Sequence, residues 1–176
     1  MSATASKVCL LGDFGVGKTS LVARYVRNTF SDSYLTTVGV KVDSKEVPLA
    51  DGAVRKLVIW DIAGKSGLDA LNMSYLRGAS GLLLVADGTR EATLRSAVDL
   101  LLQSRSLLPD AHAILLINKL DLVDRWEVAP ATLVDALNRN AAAHGDEIAI
   151  RERDRGAPQD ARRADEDELD VAEVRQ

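Results

Sequence analysis

Three groups of residues in this sequence are spaced as phosphate and base chemistry would require. Gly12-Asp13-Phe14-Gly15-Val16-Gly17-Lys18-Thr19 fits G-x-x-x-x-G-K-[ST] in full. Glycines at these positions let backbone N–H groups curl around phosphate oxygens, and a following helix adds the positive end of its dipole. The cradle is expected to run from Gly12 to Ser20, with Lys18 reaching the terminal phosphates and the Thr19 hydroxyl binding Mg²⁺. The motif selects a nucleoside di- or triphosphate and leaves the base open.

The second group is Asp61-Ile62-Ala63-Gly64. A carboxylate ending a strand can hold the Mg²⁺ shell, and Gly64 leaves its N–H open to a γ-phosphate. Alone, Asp followed by Gly is an ordinary turn; its place one hairpin after a phosphate loop gives it weight. The third is Asn118-Lys119-Leu120-Asp121, after the apolar run Ala113 to Ile117. Asp121 can accept from the ring N–H and exocyclic amino group of guanine. Adenine would leave that carboxylate unpaired, at a large cost. Lys119 can lay its stem over the purine and Asn118 can brace neighbouring loops. An ATP-using kinase or ATPase remains the alternative if Asp121 is incidental.

The elements that must position these residues read as α/β. Lys7 to Leu11 is a buried strand; Lys18 to Arg27 is a helix with Leu21, Val22, Tyr25 and Val26 inward. Val38 to Val47 and Val54 to Asp61 form a strand pair turned by Asp51-Gly52. Ser66 to Leu76 is expected to form a helix. Gly81 to Ala86 is a strand, Arg90 to Leu108 a long helix, Ala113 to Ile117 a strand and Pro130 to Ala143 a helix. Apolar strands alternating with helices predict a mostly parallel sheet, with one antiparallel hairpin strand and helices on both faces, as in P-loop NTPases.

In these stretches the chain resembles the Ras superfamily of small GTPases, most of all its Rab-like branch. The resemblance rests on Lys7 to Ser20, Tyr34 to Val40, Lys56 to Gly64 and Ile117 to Leu122. It implies a switch that binds GTP or GDP with Mg²⁺ and hydrolyses GTP. It also implies an exchange factor, an activating protein and effectors as partners. Thr37 takes the place of the threonine that binds Mg²⁺ and the γ-phosphate, beside Thr19 and Asp61 as metal residues. Phe30 matches an aromatic at the guanine edge, and Tyr34 a tyrosine near the phosphates. Lys18, Thr37, Gly64 and Lys65 are then the residues that act at the reacting phosphate.

The chain departs from the family at three places. Lys65 stands where the family usually has glutamine; lysine offers donors and no acceptor, so it cannot orient water as glutamine does. Phe14 replaces a small or polar residue in the phosphate loop and would crowd both the catalytic residue and an arginine finger. The family's final guanine-binding motif is not recognisable after strand Glu147 to Ile150, where the sequence reads Arg-Glu-Arg-Asp-Arg-Gly. Slow hydrolysis follows, and a non-hydrolysing guanine-nucleotide scaffold is the rival reading.

Composition bounds the rest. With 176 residues the chain is one domain's worth. We expect the GTPase domain over 1–150 and a charged, poorly packing tail over 151–176, from divergence or an altered reading frame. A net charge of −4 supplies no field for nucleic acid. Cys9 is the sole cysteine, so no internal disulfide forms, and it reads as a small core residue. His112 and His144 lack partners at ligand spacing, and Arg95, Arg105, Arg125 and Arg139 read as solvated surface. With neither a signal peptide nor a lipidation signal, the expected location is cytoplasmic, without a direct membrane anchor.

Overall fold

A computed structural model describes residues 4–29, 36–64, 74–129, 132 and 149–151. Its elements in chain order are β1 (Thr4–Leu11), α1 (Lys18–Arg27), β2 (Val40–Pro48), β3 (Val54–Ile62) and β4 (Gly81–Asp87). Then come α2 (Glu91–Arg105), β5 (His112–Asn118), a 3-10 helix (Leu120–Arg125) and β6 (Ala149–Arg151). The described strands make one six-stranded sheet in the order β2-β3-β1-β4-β5-β6. Only β2 runs antiparallel, paired with β3 from Val40↔Ile62 to Pro48↔Val54; the pairings of β1 with β3 and β4, and of β5 with β4 and β6, are parallel.

Parallel strands buried on two faces send successive side chains to opposite sides. Along β1, Cys9 and Leu11 join the large core with Leu82, Leu84, Leu94, Val98, Leu101 and Leu115, under α2. Leu10 faces the other way, to Ile59 and Val22 of α1. Cys9 is buried, as expected of a small apolar residue. Leu94 is fully buried in the larger core. Leu94→Ala should therefore cost about 2–5 kcal/mol of unfolding free energy, measured by urea titration.

Two side chains differ from their expected placement. Arg105 is not solvated surface: it is 4% exposed. Its guanidinium donates to the Ala111 carbonyl at 2.5 Å, closing the loop between α2 and β5. A single long side chain thus satisfies backbone that would otherwise be buried without a partner. Tyr25, expected inward on α1, is exposed. Lys45 of the neighbouring β2 covers its ring, with Nζ 4.3 Å from the centroid. Helical spacing placed it near the core edge, and a lysine stem supplies the cover. Arg95 pairs with Glu91 at 2.6 Å on the surface, and Arg125 is exposed. All but residue 132 of the expected helix over 130–143, most of that over 66–76, Arg139, His144 and the tail beyond 151 lie outside the described residues.

Candidate functional site

Every strand that supplies a candidate residue ends at the same edge of the sheet, since β1, β3, β4 and β5 run in one direction. The segments after their C-terminal ends form the site, as topology favours in open α/β sheets. After β1 the chain turns through Gly12 to Gly17 and enters α1 at Lys18, with Ser20 half-buried in its first turn. Gly17 adopts φ 100 at the helix N-cap, and no side chain caps the helix. The first amides of α1 are thereby left to whatever occupies the loop. A Cβ on Gly17 would lie 2.3 Å from Asn118 Nδ2; that Nδ2 donates to the Val16 carbonyl at 2.8 Å. Asn118 therefore braces the phosphate loop.

Lys18 is buried, and its ammonium donates to the carbonyls of Gly12 at 2.7 Å and Asp13 at 2.9 Å. Burial lowers its pKa to about 8, against the pull of the Asp61 and Asp13 carboxylates. Behind the loop, Ser96 of α2 donates to Asp13 Oδ1 at 2.7 Å. Phe14 projects its ring into solvent, 62% exposed. Gly64 lies against this loop: a Cβ there would sit 2.5 Å from the Asp13 carbonyl and 2.6 Å from Phe14 N.

Thr19, Thr37 and Asp61 converge from three separate segments. The Thr19 hydroxyl donates to Asp61 Oδ2 at 2.5 Å and lies 2.6 Å from the Thr37 hydroxyl. Thr19 has one proton and gives it to Asp61, so Thr37 donates to Thr19. Burial raises the Asp61 pKa, opposed by the Thr19 hydrogen bond and by Lys18. Asp61 Oδ1 is buried without a hydrogen-bond partner among the described residues. No group of three or more His, Cys, Asp or Glu placed to hold a metal ion occurs among the described residues. One carboxylate with two hydroxyls is instead an all-oxygen set, the donor chemistry that would fit a hard cation such as Mg²⁺. The orphaned Oδ1 fits that requirement.

After β5, Lys119 has φ 70 and begins the 3-10 helix that carries Asp121, which is exposed. Lys119 Nζ is 2.7 Å from Asp87 Oδ2. Phe30, Tyr34 and Lys65 lie outside the described residues. Sequence reading missed Asp87, Arg90 and Trp126. Asp87 ends an apolar parallel strand just as the Asp61 region ends β3, and that position was the available signal. Its side chain is fully buried. Burial alone would raise its pKa, but hydrogen bonds from Lys119, Thr89 and Arg90 together hold it at about 2.

A G-x-x-x-x-G-K-T loop, an oxygen cluster and an N-K-x-D segment at one sheet edge define the small GTPase class. A family model described as Ras family matches residues 7–152. The chain is 37% identical over 120 residues to Ras-related protein Rab-1 of Theileria annulata, covering 67% of this chain and 54% of that protein. It is 38% identical over 132 residues to GTP-binding protein yptV2 of Volvox carteri, covering 74% and 60%. With Ras-related protein RIC2 of Oryza sativa subsp. japonica it shares 41% over 117 residues, covering 66% and 54%. The chain belongs to the Ras family, and its relatives place it with the Rab-like members. It spans little more than half the length of these relatives.

Proposed function

We propose that this chain is a guanine-nucleotide switch that binds GTP and GDP with Mg²⁺ and hydrolyses GTP slowly. The observation that carries the reading is the convergence of the Thr19 and Thr37 hydroxyls at Asp61 Oδ2, which leaves Asp61 Oδ1 buried and without a hydrogen-bond partner among the described residues. A Mg²⁺ ion held there would supply Lewis-acid stabilisation of phosphate charge. Amides of Gly15 to Thr19 and the Lys18 ammonium cradle the phosphates, Gly64 turns its N–H to the γ-phosphate, and Asp121 reads the base. Phe30 and Tyr34 are assigned to the guanine edge and the phosphates on the family resemblance. The match over residues 7–152 supports a domain boundary near residue 150.

The nucleotide content of freshly purified protein tests this reading. GDP or GTP near one per chain is expected after heat release and anion-exchange chromatography. Protein that is empty and also refuses added GDP and GTP with Mg²⁺ would sink it.

Slow hydrolysis rests on Lys65, which has no acceptor for an attacking water. Lys65→Gln should raise the single-turnover GTPase rate at least roughly tenfold; an unchanged rate would remove Lys65 as the cause. A second reading, a non-hydrolysing guanine-nucleotide scaffold, draws support from the exposed Phe14 ring beside the backbone that Gly64 touches. Complete absence of phosphate release in a single turnover would favour it. An exchange factor, an activating protein and effectors follow from the family. No helix among the described residues is long and apolar enough to cross a membrane, and a cytoplasmic site of action is part of the proposal.

A further inference from the structure

The side chain of Asp87 carries four hydrogen bonds. Oδ1 accepts from Thr89 N at 3.0 Å and Thr89 Oγ1 at 2.7 Å. Oδ2 takes Lys119 Nζ at 2.7 Å and Arg90 Nε at 2.9 Å. Two cations are thereby held by one fully buried carboxylate. They lead in different directions. The other end of the Arg90 guanidinium donates to the Phe14 carbonyl in the phosphate loop at 3.0 Å. Lys119 belongs to the base-facing loop.

That loop is gripped from its far side as well. The non-glycine φ of 70 at Lys119 is a strained conformation that surrounding contacts must hold. Trp126 Nε1 donates to the Lys119 carbonyl at 3.0 Å. Its ring lies so close on Gly88 that a Cβ there would stand 2.2 Å from it. The strand of chain behind Trp126 is stitched to Gly88 in turn: Glu127 N donates to the Gly88 carbonyl at 2.9 Å, and Gly88 N to the Asn118 carbonyl at 3.1 Å. Trp126, Lys119, Asp87, Arg90 and Phe14 form an unbroken line of contacts from base loop to phosphate loop.

We propose that Asp87 is a positioning residue that couples base recognition to the phosphate loop, with Trp126 and Arg90 as its two arms. The inference rests on the guanine-nucleotide reading above. Its physical content is that each arm fixes the other through a carboxylate whose bonding directions are all taken. Loosening the phosphate-loop end should therefore degrade discrimination at the base, which Arg90 does not touch. A role confined to capping the start of α2 would lower stability and leave base preference alone.

The test uses the full chain with Mg²⁺ and the fluorescent mant forms of GDP and IDP, whose hypoxanthine lacks the amino group that Asp121 reads. Trp126→Phe and Arg90→Ala are each expected to speed mant-GDP dissociation about tenfold and to lower the preference for GDP over IDP about threefold. The double variant should dissociate little faster than either single one, because both cut the same line. Arg90→Lys keeps the charge but cannot hold Asp87 and Phe14 at once, so it should behave as Arg90→Ala. Thermal unfolding of each variant separates lost coupling from lost fold. Arg90 is 45% exposed, so its variants should fold even if Trp126→Phe does not. An unchanged GDP-to-IDP preference in Arg90→Ala, or a roughly hundredfold effect in the double variant, would overturn the coupling. Wild-type protein that binds neither nucleotide would overturn the functional reading instead, and the coupling with it.

Discussion

Gly17→Ala should lower GDP affinity about a hundredfold. Two costs combine: an L side chain at φ 100 leaves its allowed region, at about 1–2 kcal/mol. The new methyl would also meet Asn118 Nδ2 at 2.3 Å, breaking the bond to the Val16 carbonyl. That bond contributes about 1 kcal/mol, and its loss lets the loop drift from the base side. Together they approach 3 kcal/mol, which is the stated loss. Gly52 provides the control. It has φ 79 and nothing within 4 Å of its would-be Cβ, so Gly52→Ala carries the strain without the collision. Titration of both variants with mant-GDP should show the hundredfold loss at Gly17 and an unchanged affinity at Gly52. Equal effects would mean that general destabilisation, not loop geometry, governs binding.

Asp61→Asn should abolish most of the dependence of nucleotide release on Mg²⁺. Asparagine keeps the shape and can still accept from Thr19, but it has no charge to set against a divalent cation. Loss of such a supporting carboxylate typically weakens metal affinity about 10–100-fold. In wild-type protein, chelation by EDTA should accelerate GDP release strongly; in the variant the same treatment should change the rate by no more than about twofold. Persistence of the full EDTA response would show that the oxygen cluster of Thr19, Thr37 and Asp61 is not where the cation acts.

Much of the fold was legible because its signals are local. The helix from Lys18 to Arg27 was placed to the residue, with the glycine-rich turn fixing its start and Asn28, at φ 53, ending it. The hairpin between β2 and β3 followed from Asp51-Gly52, whose glycine takes φ 79. Four parallel strands were anticipated within one or two residues at their C-terminal ends, and those ends carry the site. Arg105 was misread because its burial depends on a loop closing over it, which spacing along the chain does not encode. Asp87, Arg90 and Trp126 were missed for a related reason. They fit no motif, and each gains its meaning from a partner in another segment. For Asn118 the sequence suggested a brace on neighbouring loops, but not that its partner is the Val16 carbonyl.

The antiparallel register between β2 and β3 carries a further consequence. Val40 pairs with Ile62, and one step beyond it Ala63 N donates to the Gly39 carbonyl at 2.8 Å. Thr37 and Gly64 thus lie just past the same end of a single zip. Neither can peel back far without undoing the same last tooth, so departure of one favours departure of the other. A protein wired in this way would report the presence or absence of a terminal phosphate as one bit rather than two independent readings.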